Sequence, residues 1–162
     1  MSQNKVADHW LMKSEPETFS FDDLMKAPKK STCWEGVRNY QARNFMRDHF
    51  KVGYRVLFYH SNAKPAAVMG TAVVIREAYP DPSALDPTSD YFDKAAKKKK
   101  VNPWVMVDIQ AVATFARPVT RTLLQTQPEL KAMMVLQKGS RLSVQPVTKV
   151  EFDTVMKLGK GY

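Results

Sequence analysis

Apolar residues along the chain follow patterns that predict several short strands. Runs of large and β-branched side chains are typical of strands that are buried on one or both faces. The predicted strands are residues 9–13, 54–60, 66–78, 104–115 and 142–145. Gly70 interrupts the third of these runs and indicates a bulge or a close approach between backbones.

Capping residues, together with apolar residues three or four positions apart, predict four helices. Residues 20–23 and 148–151 fit the capping box, in which a Ser or Thr precedes an acidic residue by three positions. Asn39 is a cap for the second predicted helix. Pro128 opens the third, and Gly139 closes it.

The arrangement of these elements indicates the fold class. Strands are mixed with short helices without a repeated strand–helix–strand order, which predicts an α+β domain with a small curled or barrel-like sheet and helices at its edges. The 162 residues suffice for one domain. Residues 79–102 lack apolar periodicity, and we expect a functional or mobile loop there.

An excess of positive charge points to a polyanionic partner. Lys and Arg number 25 against 16 Asp and Glu, which gives a formal net charge of +9. Such a field attracts nucleic acid first and anionic membrane surfaces second, with solubility alone as the competing explanation. No stretch approaches the length of an apolar membrane span, and residues 1–8 lack the apolar core of a secretory signal. We therefore expect neither a membrane span nor secretion.

Several kinds of chemistry have no support in the sequence. The glycines form no phosphate-binding loop, and no serine nucleophile elbow is present. His9, His49 and His60 lack metal-ligand spacing, and the single cysteine, Cys33, excludes a cysteine-based zinc cage. We therefore expect no metal and no cofactor. Cys33 is interpreted as a small buried residue, with a hydrolase that uses Cys33 and His60 as the alternative.

Aromatic, amide and basic side chains are interleaved most densely in residues 34–44. Trp34 offers a flat face on which a base can stack, and Asn39 and Gln41 carry the paired donors and acceptors that read a base edge. The competing interpretation is that the tryptophan belongs to the core and that the polar residues form a solvated helix face.

Clustered cations provide candidate contacts to phosphate groups. Arg43 and Arg47 lie four residues apart on one predicted helix, and a lysine tract follows later in the chain. The candidate phosphate-binding residues from this pattern are Arg38, Arg43, Arg47, Lys97, Lys98 and Lys99. Such contacts weaken steeply with salt. A solvated loop is the alternative for the lysines.

Five ordered blocks of sequence carry a resemblance to a known family. They are residues 9–16 (HWLMKSEP), 34–45 (WEGVRNYQARNF), 57–62 (LFYHSN), 79–82 (YPDP) and 141–147 (RLSVQPV). In this order they resemble the EVE-domain family over residues 8–158. The resemblance implies a PUA-like fold, a small mixed β-barrel with short flanking helices, and kinship with YTH domains, which hold a methylated adenine in an aromatic cage. In EVE domains the corresponding pocket is associated with modified bases, chiefly modified cytosine in DNA.

The resemblance also implies a set of pocket residues. Trp34 corresponds to one wall of the aromatic cage, and Lys13 and Ser14 correspond to its mouth. The other implied pocket residues are Asn39, Gln41, Tyr59, Ser61, Asn62, Asp81 and Ser143. Arg141, in the last block, is expected to bind phosphate. The second aromatic wall stays open among Tyr79, Tyr91, Phe92 and Trp104.

We therefore expect a non-catalytic nucleic-acid-binding module that recognises a modified base, with modified cytosine in DNA as the first candidate. The alternatives are a general RNA-binding module and an enzyme that acts on a nucleobase through Cys33 or His60. We expect a monomer, cytoplasmic in a bacterium or nuclear in a eukaryote. The expected domain spans residues 8–158, between a flexible N-terminus (residues 1–7) and a C-terminal tail (residues 159–162).

Overall fold

The computed structural model describes residues 7–160, and these form six strands and five α-helices. The strands are β1 (His9–Ser14), β2 (Ser31–Cys33), β3 (Arg55–His60), β4 (Ala67–Pro80), β5 (Val105–Thr120) and β6 (Val144–Val147). The helices are α1 (Phe21–Lys26), α2 (Tyr40–His49), α3 (Lys94–Lys99), α4 (Arg121–Gln125) and α5 (Lys149–Gly159). The expected termini fall partly outside the described residues, at 1–6 and 161–162, and Gly159 ends α5.

All six strands belong to one sheet, in the order β2-β5-β4-β3-β1-β6. The strands β1 and β3 pair in parallel, and the other neighbours pair antiparallel. The predicted α+β class is confirmed. The sheet is open, because β2 and β6 lie at opposite edges, so the expected barrel describes it only loosely.

The two faces of the sheet carry two separate cores. Side chains alternate between faces along a strand, so Trp10 and Met12 of β1 enter one core while Leu11 enters the other. The first core is covered by α1 and α2, and the second by α4 and α5. The predicted close approach at Gly70 is confirmed, because a Cβ there would meet the backbone of Ala113 and the ring of Phe21.

The predicted helix starts are confirmed at three caps. Ser20 and Thr148 each accept a hydrogen bond from the backbone N–H three residues on, and Asp23 and Glu151 complete the two capping boxes. Asn39 caps α2 in the same way, through the N–H of Ala42. These contacts satisfy backbone donors that the first helical turn leaves free.

Two other sequence predictions are wrong. The helix predicted from Pro128 to Gly139 is two short 3-10 turns, because Met133 between them is extended; the α-helix lies earlier, as α4, where Thr120 caps it. Residues 79–102 are not an irregular loop but contain the end of β4, a 3-10 turn and α3. Within residues 7–160, no helix combines the length and apolar character that crossing a membrane requires.

His60, the last residue of β3, joins the sheet to α1. Its Nε2 accepts a hydrogen bond from the N–H of Phe21 at 3.0 Å, which requires an unprotonated nitrogen. Burial lowers the pKa of this imidazole below its ordinary range, and Asp23 opposes the shift only in part. The neutral form is therefore the one that the folded protein stabilises.

We expect this contact to make folding stability depend on pH. Because the pKa is lower in the folded state, the unfolded chain takes up the proton first; the contribution is complete above about pH 6.5 and is lost as the pH falls toward the folded-state pKa. The free energy of unfolding, measured with urea, should fall more between about pH 7.5 and about pH 5.5 in the wild type than in His60→Gln. Glutamine offers a hydrogen-bond acceptor at this position but does not titrate. Equal losses would contradict the assignment.

Candidate functional site

A cavity of about 500 Å³ opens beside the first core, between the end of β1 and the segment that follows β2. We call it the first cavity. The side chains and backbone that line it are Lys13, Ser14, Glu15, Thr18, Phe19, Thr32, Cys33, Trp34, Glu35, Gly36, Val37, Arg38, Asn39, Tyr91 and Ser143. Its volume falls in the range of small-molecule binding pockets.

Trp34 forms one wall of the first cavity and is fixed from behind. Its ring meets the ring of Phe58 edge-on, with centroids 5.5 Å apart, and its backbone N–H donates to the carbonyl of Val107 at 2.7 Å. Only 8% of the residue is exposed, yet it lines the cavity. The indole is therefore both a core residue and a cavity wall, which unites the two interpretations that the sequence left open.

Tyr91 is the one of the four candidate aromatic residues that lines the first cavity. Its ring packs directly on the backbone of Gly36: a Cβ there would lie 2.7 Å from Tyr91 Cε1. Gly36 also has a φ of +85°, which favours glycine.

The other three candidate wall residues are held elsewhere. Tyr79 donates to Asp108, and Trp104 donates to Asp93 at 2.7 Å and stacks on Tyr40. Phe92 lies beneath the ammonium group of Lys97, 6.0 Å from it.

Asp81 holds the walls together from behind the cavity. Its fully buried carboxylate accepts hydrogen bonds from the N–H of Gly36 at 2.9 Å, from Arg38 at 3.1 Å, and from the N–H and hydroxyl of Ser83. Burial alone would raise the pKa of this carboxyl, but the hydrogen bonds from Ser83, Gly36 and Arg38 outweigh burial and lower it. The group is therefore a charged anchor in the folded protein.

Arg38 completes the anchor. Its guanidinium makes five hydrogen bonds, which go to the carbonyls of Tyr91 and Val37, to the carboxylate of Asp81 and to the hydroxyl of Ser83. Five is the full number of N–H donors that an arginine has. Although Arg38 lines the cavity, its donors are committed inside the protein, and they fix the loop that carries Tyr91.

A second cavity, of about 620 Å³, adjoins the first and is polar. It is lined by Lys13, Glu15, Ser61, Asn62, Arg141 and Ser143. Lys13, Glu15 and Ser143 line both cavities, so the two are adjacent. Burial, together with the nearby Arg121, lowers the pKa of Lys13. Residues from three separate blocks of the sequence therefore meet in one polar recess.

Three residues expected in the pocket lie outside both cavities. Gln41 is exposed on α2, and Tyr59 packs in the core on the opposite face of the sheet. Asp81 lies behind the wall. The remaining seven, Lys13, Ser14, Trp34, Asn39, Ser61, Asn62 and Ser143, line one or both cavities.

The expected phosphate-binding cations are also distributed unevenly. Arg43 donates to the carbonyl of Pro103 and to Asn44, and exposed Arg47 pairs with Asp48 at 2.8 Å. Arg141 is exposed at the second cavity. Lys97, Lys98 and Lys99 are exposed on α3.

Several cavity residues were missed by sequence reasoning. Phe19 precedes the cap of α1, yet it lines the cavity, and its carbonyl accepts from the Ser14 hydroxyl at 2.5 Å. Glu15 lies in the first resemblance block and Glu35 in the second, and neither was singled out. Their proximity to Trp34 and Lys13 in sequence is the signal that was available.

The interpretation of Cys33 as a buried residue is wrong, because Cys33 is exposed at the end of β2 and lines the cavity. Partial desolvation of the thiol and the charge of Glu35 raise its pKa, which favours the unreactive thiol form. Within residues 7–160, no group of three or more His, Cys, Asp or Glu residues is placed to hold a metal ion.

Known proteins resemble this chain in sequence over most of its length. The model of the EVE domain matches residues 8–158, and the chain belongs to this family. Human thymocyte nuclear protein 1 is 42% identical over 170 residues, which cover 94% of this chain and 74% of the human protein. The PUA-like fold expected from the sequence is confirmed by this membership.

Solved structures of related proteins share the fold of this chain. A protein of Pseudomonas putida superimposes with a TM-score of 0.87 at 45% identity, covering 93% of this chain and 99% of that one. The human THYN1 protein, solved in complex with 5-methylcytosine-containing DNA, superimposes with a TM-score of 0.86 at 40% identity, covering 95% and 98%.

We expect Asp81→Asn to destabilise the protein. The neutral amide no longer compensates the charge of Arg38, and its NH2 group faces the N–H donors of Gly36, Arg38 and Ser83. Leaving a buried hydrogen-bonding group without its partner costs about 1–3 kcal/mol of unfolding free energy, and more for charged groups; the Arg38 side chain is partly exposed, so we expect a loss of about 1–3 kcal/mol. Asp90→Asn is the matched control: Asp90 is exposed, and the change should stay within about 0.5 kcal/mol. Urea unfolding measures both, and a similar small effect of the two variants would refute the anchoring role.

Proposed function

We propose that this protein binds DNA that carries a modified cytosine and holds the modified base, turned out of the double helix, in the first cavity. The support is a cavity of about 500 Å³ beside Trp34 in a chain that is 40% identical to the human protein solved with 5-methylcytosine-containing DNA. A base inside a duplex is inaccessible to such a recess, so it must be extruded, at a cost of a few kcal/mol.

The cavity walls fit an aromatic heterocycle. Trp34 and Tyr91 supply aromatic surface, and stacking of a base on one such side chain contributes about 1–3 kcal/mol. Lys13, Ser14 and Asn39 supply hydrogen-bonding groups for the base edge, and Asp81 and Arg38 act as positioning residues. We assign no base contact to Gln41 or Tyr59.

The second cavity suits the sugar–phosphate backbone on either side of the extruded base. Its lining combines Lys13 and Arg141 with the side chains of Ser61, Asn62 and Ser143, which are the residue types that contact phosphate and sugar. Together with the lysines of α3, these cations supply attraction that does not depend on sequence. We propose that this attraction offsets part of the cost of extrusion.

We further propose that the protein binds the base without converting it. The raised pKa of the Cys33 thiol opposes its use as a nucleophile, and the Nε2 of His60 already accepts a hydrogen bond from Phe21. A monomeric state and a cytoplasmic or nuclear location stay predictions from the sequence.

We expect the protein to bind a duplex with one 5-methylcytosine more tightly than its unmodified counterpart, by about 1–3 kcal/mol for a methyl group in a fitted recess. Tyr91→Leu should weaken binding to the modified duplex by about 1–3 kcal/mol, through loss of an aromatic wall. Fluorescence anisotropy with labelled duplexes measures both. Tyr91 is preferred to Trp34 as the probe because Trp34 also supports the core.

Tyr40→Leu is the matched control, since Tyr40 is 57% exposed and stacks on Trp104 outside the cavity. It should leave the preference unchanged. An RNA of the same sequence belongs in the same titration. Equal affinity for modified and unmodified DNA, with RNA bound more tightly, would overturn the proposal in favour of a general RNA-binding module.

We expect salt to weaken binding, and the lysines of α3 to account for part of this dependence. Replacing Lys97, Lys98 and Lys99 with Gln should reduce the slope of log affinity against log salt by about 0.9 for each phosphate that the protein no longer neutralises. The preference for the modified base should persist. The control replaces Lys131, Lys157 and Lys160, which are exposed near or on α5; an equal reduction in that variant would exclude a specific role for α3.

A further inference from the structure

We propose that the carboxylate of Glu35 recognises the exocyclic amine of the bound base and thereby makes the first cavity select 5-methylcytosine over thymine. This inference rests on the proposed function, and it adds the residue that would determine specificity at position 4 of the pyrimidine.

The lining of the first cavity includes two acidic residues, Glu15 and Glu35, and two basic residues, Lys13 and Arg38. Glu15 already accepts a hydrogen bond from Asn62 at 2.7 Å. Glu35 accepts none from any residue in the range 7–160. It is therefore the carboxylate that remains available to a ligand.

The position of Glu35 places this group against the cavity wall. It stands between Trp34 and Gly36, which both line the cavity, and its charge raises the pKa of the Cys33 thiol and of the Tyr91 phenol. Cys33, Glu35 and Tyr91 all line the first cavity. Glu35 is exposed, so an entering base can reach it.

Partial burial and the neighbouring Asp81 raise the pKa of Glu35 itself, and the positive charge of Arg38 opposes this shift only in part. Because no described protein group donates a hydrogen bond to this exposed carboxylate, its oxygens are available to a ligand that donates hydrogen bonds. Glu35 therefore favours a ligand that presents an N–H group to its carboxylate.

A carboxylate at this position can distinguish 5-methylcytosine from thymine, because the two bases differ at position 4 of the ring. 5-Methylcytosine and thymine share the ring and the methyl group, but cytosine carries a donating amine at position 4 where thymine carries a carbonyl oxygen. Carboxylates accept from the cytosine amine, whereas a carboxylate facing the thymine carbonyl places two acceptors together. Lys13 and Asn39, which line the same cavity, offer donors to the acceptor atoms of the cytosine edge.

The experiment compares duplexes that carry 5-methylcytosine or thymine opposite an abasic site, so that neither base loses a pairing partner on extrusion. We expect the wild type to prefer 5-methylcytosine by about tenfold or more. Glu35→Gln presents a donor as well as an acceptor and should reduce this preference to about twofold or less. Glu129→Gln, the same change of charge at an exposed residue outside both cavities, should retain it.

The outcomes separate the two proposals. If Glu35→Gln retains the preference, or if Glu15→Gln abolishes it while Glu35→Gln does not, the assignment to Glu35 is overturned and the proposed function stands. If the wild type binds 5-methylcytosine DNA no better than unmodified DNA, the proposed function itself fails. Thermal unfolding of each variant verifies that the fold is intact.

Discussion

The ion pair between the buried Asp81 and the partly buried Arg38 is the contact on which the candidate site depends. Asp81 follows the end of β4, whereas Arg38 lies on the segment between β2 and α2. Their hydrogen bonds, together with that from Gly36, hold Trp34 and its neighbours against the loop that carries Tyr91. A buried charge is costly unless it is paired and hydrogen-bonded, and the observed arrangement of these two segments gives the carboxylate its partners. The first cavity lies beside the segment that carries Trp34 and the loop that carries Tyr91, which these contacts hold in place.

The parallel pairing of β1 and β3 supplies the polar side of the same site. In a parallel pair both strands end at the same edge, and here Ser14 lies opposite His60. The N–H of Ser61 then donates to the carbonyl of Ser14 at 3.0 Å, which brings the turn after β3 next to the end of β1. Lys13 and Asn62 thereby reach the same recess. Trp34 follows the edge strand β2, whereas Lys13 lies on β1, which is separated from β2 by three strands in the order of the sheet. Both residues nevertheless line the first cavity.

Local signals in the sequence were sufficient where the structure itself is local. The caps at Ser20, Asn39 and Thr148 were predicted because each cap bonds only to a residue three positions on. The prediction of a helix from Pro128 was wrong. A proline is compatible with the first turn of a helix, but the extended backbone of Met133 ends the helical conformation after one 3-10 turn. The strand β2 was missed because its three residues are held by pairing with β5, far along the chain.

The same distinction applies to the cavity. Trp34 was identified from its own block, but the choice of Tyr91 among four aromatic residues depends on Gly36 and Arg38, more than fifty residues earlier. No spacing along the chain encodes that contact. Asp81 was expected beside the pocket and instead supports it from behind, which again is a matter of packing between distant segments.

The most direct test is a crystal structure of the protein with a duplex that contains one 5-methylcytosine paired with guanine. We predict that the methylated base is found outside the helical stack and inside the first cavity, against the rings of Trp34 and Tyr91. A methylated base that remains stacked and paired, or a duplex bound on a surface remote from this cavity, would contradict it.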